Sequence, residues 1–126
     1  MTSPRGLVVG GSIEIGRAIA VDLAGQGYQL TLWGCARARL VDTAGSCKAS
    51  GQRYTVDVID VTDRVPTRRG LDRILAEGDL SVAVWAAGAF DWAPADEADP
   101  VAWERVLDVN MTSAAVFTTL VMPPLI

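Results

Sequence analysis

Histidine is absent from this chain and lysine occurs once, at Lys48. Without histidine, and with cysteine only at Cys35 and Cys47, no recognisable metal set can be assembled. The two thiols are too far apart for a Cys-x-x-C redox pair and suit a reducing compartment, so a cytoplasmic setting is expected. Basic charge is also short. The formal net charge is −4, which argues against nucleic acid as a partner, and Arg68-Arg69 is a small pair on a solvated helix face. Long apolar runs are missing too. "MTSPRG" has no apolar run behind a basic segment, so no signal peptide is read there. "LSVAVWAAGAF" is too short to span a bilayer and lies between Asp79 and Asp91. What is abundant is core material: half of the 126 residues are apolar, enough for one folded domain over residues 1–126. The expectation is a soluble intracellular domain with neither membrane nor nucleic acid as partner.

The apolar pattern alternates between strand-like runs and helical spacing, without repeats or linkers. "GLVVG" is a short buried run. Ile15, Ile19 and Leu23 then recur every fourth residue, in a helix read from Arg17 and stopped at Gly27. "YQLTLW" alternates as a strand does, and Leu40, Ala44 and Cys47 share a helical face weakened by Gly45. "RYTVDV" is a third strand. Pro66 suits the first turn of a helix carrying Leu71, Ile74 and Leu75 and ending at Gly78. "LSVAVWA" is a fourth strand whose continuous apolarity suits cover on both faces. Asp99 as cap and Pro100 at the first position start a helix that runs on to Pro123-Pro124. Four strand–helix alternations imply a parallel sheet with right-handed crossovers in a three-layer α/β sandwich, strand order 3-2-1-4.

Between the first strand and the first helix stands "VVGGSIEIG", a glycine turn of the kind that holds a pyrophosphate. There, helix-terminal N–H groups point at the anion and missing Cβ atoms let it approach. Three further stretches follow in order: Asp60 in "IDVTD", "WAAG" at 85–88, and Asn110 in "WERVLDVNMTSA". Together they resemble the N-terminal, nucleotide-binding half of the short-chain dehydrogenase/reductase family. Its turn T-G-x-x-x-G-x-G reads here Val9-Gly10-Gly11-Ser12-Ile13-Glu14-Ile15-Gly16, and its N-N-A-G reads Trp85-Ala86-Ala87-Gly88.

The resemblance implies a Rossmann-like sheet and an NAD(P)(H) site. Its cofactor-binding positions would be Gly10, Ser12, Glu14, Ile15, Gly16, Gly34, Cys35, Asp60, Val61, Ala86, Ala87 and Gly88, and Asn110 would be the one catalytic position. Cys35 stands where relatives preferring NADP often carry arginine, and Gly34 replaces the aspartate of NAD-preferring ones. Arg17, Arg37 and Arg39 lie nearby, so the preference leans to NADP. The departures are Val9, Glu14, Trp85 and Ala86, and above all the missing Tyr-x-x-x-Lys. The tyrosines are Tyr28 and Tyr54, and Lys48 partners neither. The family reprotonates an alkoxide with a tyrosine whose pKa a lysine lowers. By that route this chain is catalytically incomplete, truncated before the family's catalytic strand.

Plainer roles stand beside these. Gly10 and Gly16 could serve tight packing alone, Glu14 could cap its helix, Asp60 could begin the next helix, and Asn110 could be structural. Most of the tryptophans suit packing, with Trp92 and Trp103 candidates to line an opening. The competing readings are thus an oxidoreductase-type nucleotide-binding half and a non-catalytic sensing or interaction module. Self-association is expected in either case. "LSVAVWA" would be an edge strand, and Val106, Leu107, Met111, Ala114, Ala115 and Phe117 are too many apolar residues for one stripe, so a homodimer follows.

Overall fold

The computed structural model describes residues 3–11, 14–48, 51, 53–89 and 93–125. Four parallel strands form its centre: β1 (Arg5–Val9), β2 (Gln29–Gly34), β3 (Tyr54–Val58) and β4 (Val82–Trp85), in the order β3-β2-β1-β4. Val8 sits opposite Leu32 on one side and Val84 on the other, which sets the register at the sheet's centre. The expected topology is the observed one.

The crossovers place α1 (Glu14–Gly25) and α2 (Arg37–Lys48) on one face, and α3 (Arg64–Ala76) and the C-terminal helices on the other. Strand alternation deals the apolar residues to two cores. Val8, Leu30 and Leu32 meet Ala20, Ala24, Leu40, Ala44 and Cys47. Leu7, Val9 and Trp33 meet Leu71, Ile74, Phe117 and Val121. Phe117 lies edge-on to Trp33, with ring centroids 6.3 Å apart, and tilted against Trp85 at 5.3 Å.

Helix α1 differs from its sequence reading in two ways. It begins at Glu14, three residues before Arg17, so Glu14 belongs to the first helical turn and not to the middle of a loop. Its buried face is Gly16, Ala20 and Ala24, while Ile15 is 72% exposed. Only small residues fit where the helix lies closest to the strands, so Ile15 faces solvent while Leu23 packs at the margin of the core. β4 is shorter than "LSVAVWA" and only half-buried, because as an edge strand it lacks a neighbour on its outer side among the described residues.

The C-terminal helix starts as expected, with Asp99 accepting from the Val101 N–H and Pro100 in the first turn. It then changes gauge, from α4 (Pro100–Leu107) through a π turn (Asp108–Thr112) into α5 (Ser113–Leu125). This 26-residue run is the one helix, among the described residues, long and apolar enough to cross a membrane. Ser113, Phe117 and Val121 are buried against the sheet, so here it is a layer of the domain.

Arg5 ties the far end of β1 to the end of α3. It donates to the carbonyl oxygens of Gly78 (2.7 Å), just past the helix, and of Ile74 (2.9 Å), which also accepts from the Glu77 N–H. Arg5→Ala is expected to destabilise the fold by about 1–2 kcal/mol, read as a lowered urea midpoint at unchanged slope. An unshifted midpoint would show that water serves those carbonyls equally well.

Candidate cofactor-binding cleft

At the carboxyl edge of the sheet the loops after all four strands converge. Gly10 follows β1 with φ +89, a conformation that glycine adopts readily. A Cβ there would lie 2.5 Å from the Ala87 nitrogen, and one on Gly16 would lie 2.0 Å from the Gly10 oxygen. Both glycines are therefore required by packing before any ligand arrives. That packing also brings the start of α1 and the "WAAG" segment to one place.

The turn's backbone is partly committed. The Gly10 and Gly11 N–H groups both donate to the Trp33 carbonyl, at 2.8 and 3.2 Å. The buried Thr43 hydroxyl donates to the Gly11 oxygen at 2.9 Å, locking the turn onto α2. The N–H groups left to face an anion are those of α1's first turn, where helix geometry supplies no intrahelical acceptor. Glu14 stands there, exposed, and Ile15 beside it. Ser12 lies outside the described residues, as does Trp92.

Beyond the turn a cleft of about 250 Å³ opens. One wall is Gly34, Cys35, Ala36 and Arg39, from the end of β2 into α2. The opposite wall is Ile59, Asp60 and Val61 after β3, with Arg105 and Val109 from the C-terminal helix. Val9 and Gly10 line it from β1, and Ala87, Gly88 and Ala89 from the β4 loop. The structure thus gathers Gly10, Gly34, Cys35, Asp60, Val61, Ala87 and Gly88 into one cavity, while Gly16 and Ala86 support it from behind.

Asp60 does not begin a helix; Asp63 caps α3 by accepting from the Val65 N–H. Asp60 instead holds Thr62 through one carboxylate oxygen, accepting from its hydroxyl at 2.6 Å and its N–H at 3.0 Å. Those two bonds hold its pKa below the usual carboxylate range against the opposing effect of burial, with a lesser contribution from the positive charge of Arg105. Among the described residues its second oxygen has no hydrogen-bond partner.

Asn110 sits in the π turn and grips Ala89 at both ends of its amide. Its Nδ2 donates to the Ala89 oxygen (2.7 Å) and its Oδ1 accepts from the Ala89 N–H (2.8 Å). Neighbouring Arg64 donates to Ser113 Oγ (2.9 Å), the Val61 oxygen (3.2 Å) and Asp108 Oδ1 (3.3 Å), tying the π turn to the β3 loop.

Two sequence expectations change here. Arg17 is paired with Asp42 and Ser46 on α2, so it does not serve the cleft. Trp103 is 56% exposed and does not line the cleft. Arg105 and Thr43 went unnoticed. Arg105 was within reach, since it stands four residues before Val109 and so shares its helix face.

The short chain dehydrogenase family model matches residues 6–126. An uncharacterized oxidoreductase of Staphylococcus saprophyticus is 28% identical over 95% of this chain and 52% of its own length. The cis-4-hydroxycyclohexanecarboxylate dehydrogenase of Sinomonas cyclohexanicum is 35% identical over 86% of this chain and 44% of its own. Among solved structures, an alcohol dehydrogenase from the archaeon Thermococcus sibiricus, complexed with 5-hydroxy-NADP, superposes with a TM-score of 0.88 at 25% identity. That match covers 97% of this chain and 53% of the other. The chain spans about half the length of these relatives. With strand order, glycine turn, Asp60 and Asn110 all in place, the chain belongs to the short-chain dehydrogenase family.

Proposed function

We propose that this chain binds a nicotinamide dinucleotide across the cleft, with NADP(H) favoured over NAD(H). The observation that carries this is the convergence of α1's first turn with the cavity between Cys35 and Asp60. The first suits a pyrophosphate and the second an adenosine. The preference rests on the end of β2, where Gly34 and Cys35 offer no carboxylate to a ribose hydroxyl and Arg39 lines the wall. The NADP analogue in the Thermococcus sibiricus relative is in keeping with it. A reducing, cytoplasmic setting belongs to the same proposal, on the sparse use of cysteine in the sequence.

When bound, the nicotinamide supplies or accepts a hydride; carbonyl reduction also needs a proton donor beside it. Tyr54 begins β3 and Tyr28 precedes β2, both at the edge of the sheet opposite the cleft. Neither tyrosine lines the cleft, so among the described residues no tyrosine is placed to donate that proton. Titration with NADPH and NADH by calorimetry is expected to show tighter binding of NADPH and no carbonyl reduction by the same samples. Glu14→Gly should tighten both about three- to tenfold by removing roughly 1 kcal/mol of like-charge repulsion. Silence from both cofactors at millimolar concentration, in wild type and variant alike, would sink the proposal.

Asn110 acts here as a clamp on the β4 loop. Asn110→Ala is expected to cost about 1–2 kcal/mol and to speed hydrogen exchange at the Ala89 amide. Unchanged exchange would show that the loop holds itself.

Self-association belongs to the same proposal. Trp103, Leu107 and Met111, at 56%, 51% and 65% exposure, follow one another at helical spacing, and β4 is an edge strand of the described sheet. A homodimer through this surface is expected by light scattering after size exclusion. A soluble monomer at high micromolar concentration would refute it.

A further inference from the structure

Two arginines line the cleft, Arg39 and Arg105, and of the two it is Arg105 whose charge acts on Asp60. Arg5, Arg17, Arg64 and Arg68 each have an acidic partner: Glu77, Asp42, Asp108 and Asp72. Arg105 makes no side-chain hydrogen bond or ion pair of that kind, yet it lines the cleft from α4. It lies near enough to Asp60 for its charge to favour the ionised carboxylate. One helical turn on, Val109 is buried in the same wall, and Ile59 and Val61 complete an apolar floor. The wall therefore combines a flat apolar floor, a carboxylate with one oxygen open, and a planar cation at the exposed rim.

Resting on the dinucleotide reading, we infer that Arg105 is the adenine-covering residue of the site. Its guanidinium stacks on the outer face of the base, while Val61 and Val109 take the inner face. Two physical points select this role over a phosphate contact. Arg105 sits on the Asp60 wall, whereas the backbone donors for a pyrophosphate are at α1's first turn. A guanidinium is weakly hydrated and planar, so it stacks on aromatic rings and bases in a way that a compact ammonium does not. Asp60 beneath it accepts from an exocyclic amine and keeps the guanidinium oriented through their opposite charges. The ligand class is thus an amino-purine nucleotide, covered on one face by a side chain that solvent would otherwise surround.

The test uses the full chain, with AMP, NADH and nicotinamide mononucleotide as separate probes in calorimetry. Arg105→Ala is expected to weaken AMP and NADH by about five- to tenfold, and to leave nicotinamide mononucleotide, which lacks the adenine, unchanged. Arg105→Lys should lose nearly as much, since it keeps the charge and forfeits the plane. Because Arg105 is exposed and makes none of the pairs above, both variants should melt with the wild type. The inference is overturned if Arg105→Ala binds AMP and NADH as the wild type does. It is also overturned if Arg105→Lys retains full affinity, which would assign a point charge, or if nicotinamide mononucleotide suffers equally. In each of these cases wild-type binding of NADH leaves the dinucleotide reading standing. Failure of the wild type to bind NADH, NADPH or AMP would remove both.

Discussion

Backbone meets backbone where β1, α1 and the β4 loop converge, and the cleft depends on that contact. The Gly10 oxygen lies where a Gly16 side chain would begin, and the Ala86-Ala87 peptide lies where a Gly10 side chain would begin. Any Cβ at either position would push a layer outward by an ångström or more, since neither obstacle is a flexible side-chain end. The close approach explains why α1 presents Gly16, Ala20 and Ala24 to the sheet and leaves Ile15 in solvent. It also sets the first turn of α1 against the Gly10 turn at the carboxyl edge of the sheet. Glycine is thus demanded twice over, by packing and by the approach of an anion, and sequence alone cannot separate the two demands.

A second chain of contacts carries order from the core to the rim. Phe117 packs on Trp33 and Trp85, which seats α5 on the sheet. At the start of α5, the buried Ser113 hydroxyl donates to Asp108 Oδ1 at 2.7 Å, and its N–H reaches back to the Asp108 oxygen. That five-residue step defines a π turn, and π turns recur at functional sites because they shift the helix face that follows. Asn110 lies inside it and holds Ala89, so the cleft's β4 wall hangs from the helix by two hydrogen bonds. Arg64 secures the same turn from the β3 side. These links account for an exposed asparagine having a fixed amide orientation.

Topology was legible because its signals are redundant. Alternating periods, Asp99-Pro100 at a helix start and glycines after helix ends all point to one parallel sheet, and the order β3-β2-β1-β4 follows. The positions of Gly10, Cys35, Asp60 and Gly88 around one cleft were legible for a different reason: the crossovers of such a sheet deliver every strand's end to the same edge. Illegible were the features set by distances between elements. Arg17 read as a cofactor-side cation, but Asp42 and Ser46 come within reach only once α1 packs beside α2. The start of α1 was missed because Glu14 and Ile15 carry no helix signal stronger than their glycine neighbours' turn signal. The π turn has no sequence mark in "DVNMT" at all; it is defined by the Ser113 N–H reaching back to the Asp108 oxygen.

The charges in the cleft divide its labour. A carboxylate in the first turn of a helix gains about 0.3–1 kcal/mol from the positive end of the dipole, and Glu14 holds that place. A pyrophosphate arriving there competes for the same N–H groups and meets a like charge, so the glycine turn offers less than its shape suggests. The other end compensates. Arg39 and Arg105 line it with Asp60 as the single opposing charge, a locally positive rim on a chain whose net charge is −4. Positive side-chain charge is therefore concentrated at the part of the cleft between Cys35 and Asp60. A ligand carrying charge and aromatic area there gains from both arginines, whereas one relying on its pyrophosphate alone must displace Glu14. On the proposed reading, recognition of the dinucleotide runs from the base inward.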